Sequence, residues 1–68
     1  MAGILNADTN LRTGPGTEYK ARCLVDKNRG VEILDARSER DWAKVRVTQG
    51  RYAGLVGWMY KDNIDRDR

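Results

Sequence analysis

The chain holds one cysteine, Cys23, and no histidine. In a chain of 68 residues that pair of facts narrows both the fold and the chemistry. A domain this small buries only about 60% of the surface its unfolded chain exposes, so it leans on a staple or on an unusually compact core. One cysteine cannot close an internal disulfide. Without histidine the usual Cys/His zinc sites are also out. The core must come from aliphatic side chains with Trp and Tyr, because there is no Phe.

The same absences restrict chemistry. There is no Ser–His–Asp triad and no Cys–His pair. Cys23, with no base to activate it, reads as a small buried hydrophobe. Ten carboxylates are scattered among thirteen basic residues, mostly in turn-like stretches, which marks a solvated surface rather than an acid–base pair. The sequence therefore points away from an enzyme and implies no cofactor and no metal. The net charge of +3 and pI near 9.4 allow an anionic partner, but the signs are interleaved. Nucleic acid is accordingly disfavoured, since its binding needs a concentrated basic footprint. No segment approaches the ~18 apolar residues of a membrane span. Met1 to Asn6 is too short and uncharged for a signal peptide. A complete chain would then be cytoplasmic, and a piece of a longer protein would belong to the cell envelope or be secreted.

Period-two patterning dominates. Trp42 to Val47 alternates, with Ala43, Val45 and Val47 on one face and Trp42, Lys44 and Arg46 on the other. Val31 to Ala36 is an apolar, β-branched run after the turn Lys27-Asn28-Arg29-Gly30. Gly54 to Met59 is a third strand candidate. Ile4 to Asn6, Thr9 to Arg12 and a piece of Tyr19 to Val25 add short extended segments. In the last of these Cys23 and Val25 face one way and Leu24 the other. Thr13-Gly14-Pro15-Gly16-Thr17 breaks regular structure. The expectation is an all-β fold: a partly open barrel of roughly five to seven short strands with a long first loop. Residues 1–68 form one monomeric domain, its core about 3–64, with the tail fraying after Ile64 over 65–68.

Asn10-Leu11-Arg12-Thr13-Gly14-Pro15-Gly16-Thr17 resembles the opening signature of bacterial SH3 (SH3b) domains. Gly30 before Val31 to Leu34 is similar to the family's turn glycine. Asp41-Trp42-Ala43-Lys44-Val45-Arg46 resembles its Gly-Trp-Tyr-Lys-Val-Arg strand. Gly57-Trp58-Met59 followed by Ile64 resembles its closing Gly-Trp-Val and last aliphatic residue. Thr9 stands in place of the usual leucine and Ala43 in place of a common aromatic. Thr48 to Ala53 lengthens one hairpin. The resemblance implies an SH3-like barrel and a binding role, commonly toward peptidoglycan or another cell-envelope peptide. An intracellular adaptor using the same groove, or a nucleic-acid-binding barrel, are the alternatives.

Candidate ligand residues come from parity and resemblance together. Trp42 faces away from Val45 and Val47, so it either contacts a ligand or packs under the loop from Thr13 to Tyr19. Lys44 shares its face. Trp58 and Tyr60 form a second outward set with Met59 inward; Trp58 reads as more structural. By resemblance Tyr60 and Asn63 line the groove, and Tyr19 enters it from the loop. Arg12 reads as a brace on loop carbonyls ahead of a ligand contact. Tyr52 is either a contact or a cap on the barrel end.

Overall fold

The computed structural model describes residues 1–66. Seven strands form one antiparallel sheet: β1 (Ala2–Leu5), β2 (Thr9–Arg12), β3 (Ala21–Val25), β4 (Gly30–Asp35), β5 (Trp42–Val47), β6 (Val56–Tyr60) and β7 (Ile64–Arg66). Their order across the sheet is β3-β2-β6-β5-β4-β1-β7. The one other regular element among the described residues is a single 3-10 turn, Lys61–Asn63. The all-β, partly open barrel expected from the alternation is the architecture observed.

Each strand buries at least one aliphatic or Met side chain on the inner face. Leu5, Leu11, Val25, Val31, Val45, Val47 and Met59 are all fully enclosed, and Ile64 closes the end of the barrel. Burying such a side chain contributes about 1.5–3 kcal/mol, which is how a chain without a staple holds together. The expectation that Trp and Tyr would share this core is corrected. Strand parity puts Ala43, Gly57 and Met59 inward and sends Trp42, Trp58 and Tyr60 outward. Among the aromatics only Tyr52 packs against the core, with the Arg51 guanidinium 5.8 Å from its ring centroid. Cys23 also packs on the core as a free thiol, and burial pushes its pKa up. Thr9, in the leucine position, is buried and satisfies its hydroxyl by donating to the Ala7 carbonyl at 2.7 Å.

Two bulges bend the sheet. Between β2 and β3 the register passes from Leu11↔Cys23 to Arg12↔Ala21, leaving Arg22 unpaired. Between β4 and β5 it passes from Ile33↔Val45 to Asp35↔Lys44, leaving Leu34 unpaired. An extra residue re-aims its side chain and tightens the local twist. Arg22 accordingly reaches across to donate to the Val56 carbonyl at 2.6 Å, and Leu34 turns outward.

Several boundaries differ from expectation: β1 covers Ala2–Leu5 against the expected Ile4 to Asn6, and β4 covers Gly30–Asp35 against the expected Val31 to Ala36. β3 is a piece of Tyr19 to Val25, as expected: it begins at Ala21, because Thr13 N–H donates to the Lys20 carbonyl and keeps Tyr19 and Lys20 in the loop. β6 begins at Val56: Gly54 N–H donates to the Val47 carbonyl while Val47 N–H donates to that of Leu55. That is a glycine bulge, and Gly54 has the positive φ of 97° it requires. The tail does not fray at Ile64. Asp65 and Arg66 continue as β7, with Ile4↔Asp65 and Gly3↔Arg66 paired to β1. Residues 67 and 68, also expected to fray, lie outside the described residues.

Candidate functional site

An open groove of about 370 Å³ lies on the outer face, where β2, β6 and β5 run side by side. Trp42 on β5 pairs with Tyr60 on β6, so both rings stand on the same outer row. Their centroids are 5.7 Å apart with planes at 68°, an edge-to-face contact. Such geometry suits the ring quadrupoles and holds both aromatics in place. Asn10 and Arg12 add the β2 wall, Thr17 comes from the β2–β3 loop, and Asp8 and Asn63 complete the lining together with Thr9.

Hydrogen bonds pin each wall. Arg12 Nη1 donates to the carbonyls of Thr17 at 3.3 Å and Tyr19 at 3.0 Å, fixing the Gly14-Pro15-Gly16 loop. Asn6 Nδ2 donates to the Asp62 carbonyl at 2.9 Å and to Asp65 Oδ1 at 3.0 Å. Asn6 N–H also donates to the Asn63 carbonyl, so the 3-10 turn is clamped onto the β1–β2 connection. Lys61 Nζ donates to the carbonyls of Ala36, Glu39 and Arg40 at 2.7, 2.8 and 2.9 Å. Its backbone N–H donates to the Asp41 carbonyl, next to Trp42. The groove is therefore assembled before any ligand arrives, which lowers the ordering cost of binding.

Electrostatics are mixed. Asp62, by hydrogen bonding to the Tyr60 hydroxyl and by its charge, raises the phenol pKa; partial desolvation and Asp41 push the same way. Outside the groove, Asp35 accepts from Arg37 N–H, Ser38 N–H and the Ser38 hydroxyl. Those bonds, the Ser38 hydroxyl foremost, hold its carboxyl at a pKa of about 2.

The structure brings together Trp42, Tyr60 and Asn63 from the sequence candidates. Thr17 of the loop lines the same groove as Trp42. Tyr19 does not line the groove: its ring lies over Gly14, and it serves the site through its backbone carbonyl. Trp58 and Lys44 lie one row further along, paired as Arg12↔Trp58 and Lys44↔Trp58, and neither lines the groove. Trp58 follows Gly57, where a Cβ would come within 2.7 Å of the Arg12 carbonyl oxygen; glycine lets β2 lie against β6. The wall of Asp8 and, on β2, Asn10 and Arg12 does not stand out in the sequence as a ligand surface. Its one signal there is the parity of Asn10 and Arg12 around the buried Leu11. Among the described residues no group of three His, Cys, Asp or Glu is placed to hold a metal, and no helix is long and apolar enough to cross a membrane.

A small, bent antiparallel sheet carrying a pre-assembled aromatic groove on its outer face defines a binding module. The chain belongs to the bacterial SH3 domain family, whose family model matches residues 7–65. No curated protein and no solved structure matches it.

Proposed function

We propose that the chain is a non-catalytic targeting module that binds an extended peptide of the cell envelope, peptidoglycan foremost, in the groove of Trp42 and Tyr60. The observation that carries this is the fixed edge-to-face pair, half open to solvent, in an open groove flanked by the amides of Asn10 and Asn63. Flat rings accept extended backbone at low entropy cost, and the amides read its N–H and C=O groups. Each contact is weak, so retention on a repetitive polymer grows by multivalency. Family membership supports the binding role, and kinship supports the wall ligand.

Sedimentation with purified cell walls tests the reading. The chain should pellet with walls, and Trp42→Ala and Tyr60→Ala should each leave most of it in the supernatant while keeping a folded far-ultraviolet spectrum. Absence of pelleting with walls from several bacterial groups would sink the wall assignment.

A further inference from the structure

Arg12 is held by the loop and still keeps most of its donors. Nη1 carries two N–H groups, and the carbonyls of Thr17 and Tyr19 take both. A guanidinium has five donors, so Nε–H and the pair on Nη2 remain. Together they make the edge of the fork that fits a carboxylate bidentately. That side chain lines the groove. Among the described residues the one ion pair is Arg46 with Glu32, so no carboxylate of the described chain neutralises Arg12. An oriented, half-buried guanidinium in a binding groove, with its fork unspent, awaits an anionic partner from outside.

The groove's opposite end has the other sign. Asp8 lies four residues back along the chain, about 13 Å at ~3.3 Å per extended residue. One of its oxygens already accepts from Lys27 N–H at 2.8 Å, and its charge repels an anion there. The polarity sets a direction. The geometry points to a carboxylate-reading end: Arg12 receives the free C-terminal carboxylate of a short extended peptide, whose preceding residues run over Tyr60 and Trp42 toward Asp8 and Asn63. Thr17 lines the same groove. This rests on the groove being a peptide site and adds which end of the peptide it reads and by which residue.

The test uses the whole chain, nitrogen-15 labelled, titrated at low salt with acetyl-tetra-alanine as the free acid and as the C-terminal amide. A third probe, acetyl-Ala-Asp-Ala-Ala amide, carries a carboxylate only on a side chain. The free acid should bind about tenfold or more tightly than either other probe, the factor expected from one charge-assisted pair. It should shift the Arg12 Nε–H resonance and weaken as salt rises. Arg12→Gln should remove the preference for the acid. Arg12→Lys, which keeps the charge and loses the fork, should keep only part of it.

Equal binding of acid and amide would overturn the carboxylate assignment and leave the peptide groove standing. Equal binding of the side-chain carboxylate would overturn the terminal placement. A preference surviving in Arg12→Gln would overturn the role of Arg12. Binding by none of the three probes would overturn this inference, while the groove reading is judged separately by wall sedimentation. The acid-against-amide comparison is made on the unaltered chain, so it stands even if substitution at Arg12 loosens the loop.

Discussion

Replacing Gly57 with alanine adds one methyl group where β6 lies tightly against β2. A Cβ there would sit 2.7 Å from the Arg12 carbonyl oxygen and 2.8 and 2.9 Å from Cγ and Cδ1 of Leu11. Ordinary contact begins near 3.4 Å, so the methyl lacks about 0.7 Å (3.4 − 2.7) against the oxygen. Neither neighbour yields easily: the oxygen belongs to a strand paired with β6, and Leu11 is fully buried. Overpacking of this kind costs about 1–3 kcal/mol. At ~2 kcal/mol, and ~4–8 °C per kcal/mol for a domain of this size, the melting temperature should fall by roughly 8–16 °C. Gly54→Ala is the comparison. Nothing lies within 4 Å of a Cβ at that site, but φ is 97°, so its cost is conformational and about 1 kcal/mol. Thermal melts followed by circular dichroism measure both. A Gly57→Ala chain melting within ~2 °C of the parent, or less destabilised than Gly54→Ala, would refute the close-approach argument.

Contacts elsewhere in the structure set four further outcomes. Lys61→Met should free the carbonyls of Ala36, Glu39 and Arg40, lowering stability by about 1–2 kcal/mol, and hydrogen exchange at 36–41 should accelerate ahead of the core. Asp35 has a folded pKa of about 2 against an ordinary value of 3.8, so its stabilisation is present above pH 3.8 and fades as pH falls toward 2. Melts of the parent and Asp35→Asn should therefore differ at pH 5 and converge in strong acid. Asp62→Asn should lower the Tyr60 pKa toward its usual value, read from phenolate absorbance in an alkaline titration. Asn6→Ala should loosen the 3-10 turn and weaken wall retention without exposing the core, because the Asn6 side-chain amide ties down the Asp62 carbonyl and the Asp65 carboxylate on either side of Asn63, from outside the groove.

Alternation makes β5 legible in detail, because every second residue from Ala43 to Val47 is buried and those between are not. The outward aromatics come from the same count. β4 is legible as a strand but not as a bulged one: Leu34 looks like a core residue in an apolar run, and only its missing partner on β5 shows that it turns out. The start of β6 depends on Gly54, whose left-handed backbone is a property of the hairpin it closes. Resemblance puts Tyr19 in the groove, yet the loop has its own packing, and the ring lies over Gly14. The polar wall on β2 is hardest to see. Asn10 and Arg12 look in sequence like any solvated strand face. What separates them from one is a carbonyl pair seven residues or fewer downstream that holds the Arg12 guanidinium still.

The pairing of β1 with β7 has an architectural consequence. Gly3 and Arg66 lie opposite each other about one strand spacing, ~5 Å, apart, so the first and last strands of the described chain run side by side with their outer ends at the same end of the sheet. A longer polypeptide could detour through this unit and resume its course almost where it left. Copies could follow one another like beads joined by short strings, each offering its own aromatic cleft. Closely placed ends make insertion and repetition of a domain easy, and in a repeated array many weak contacts sum to a firm hold.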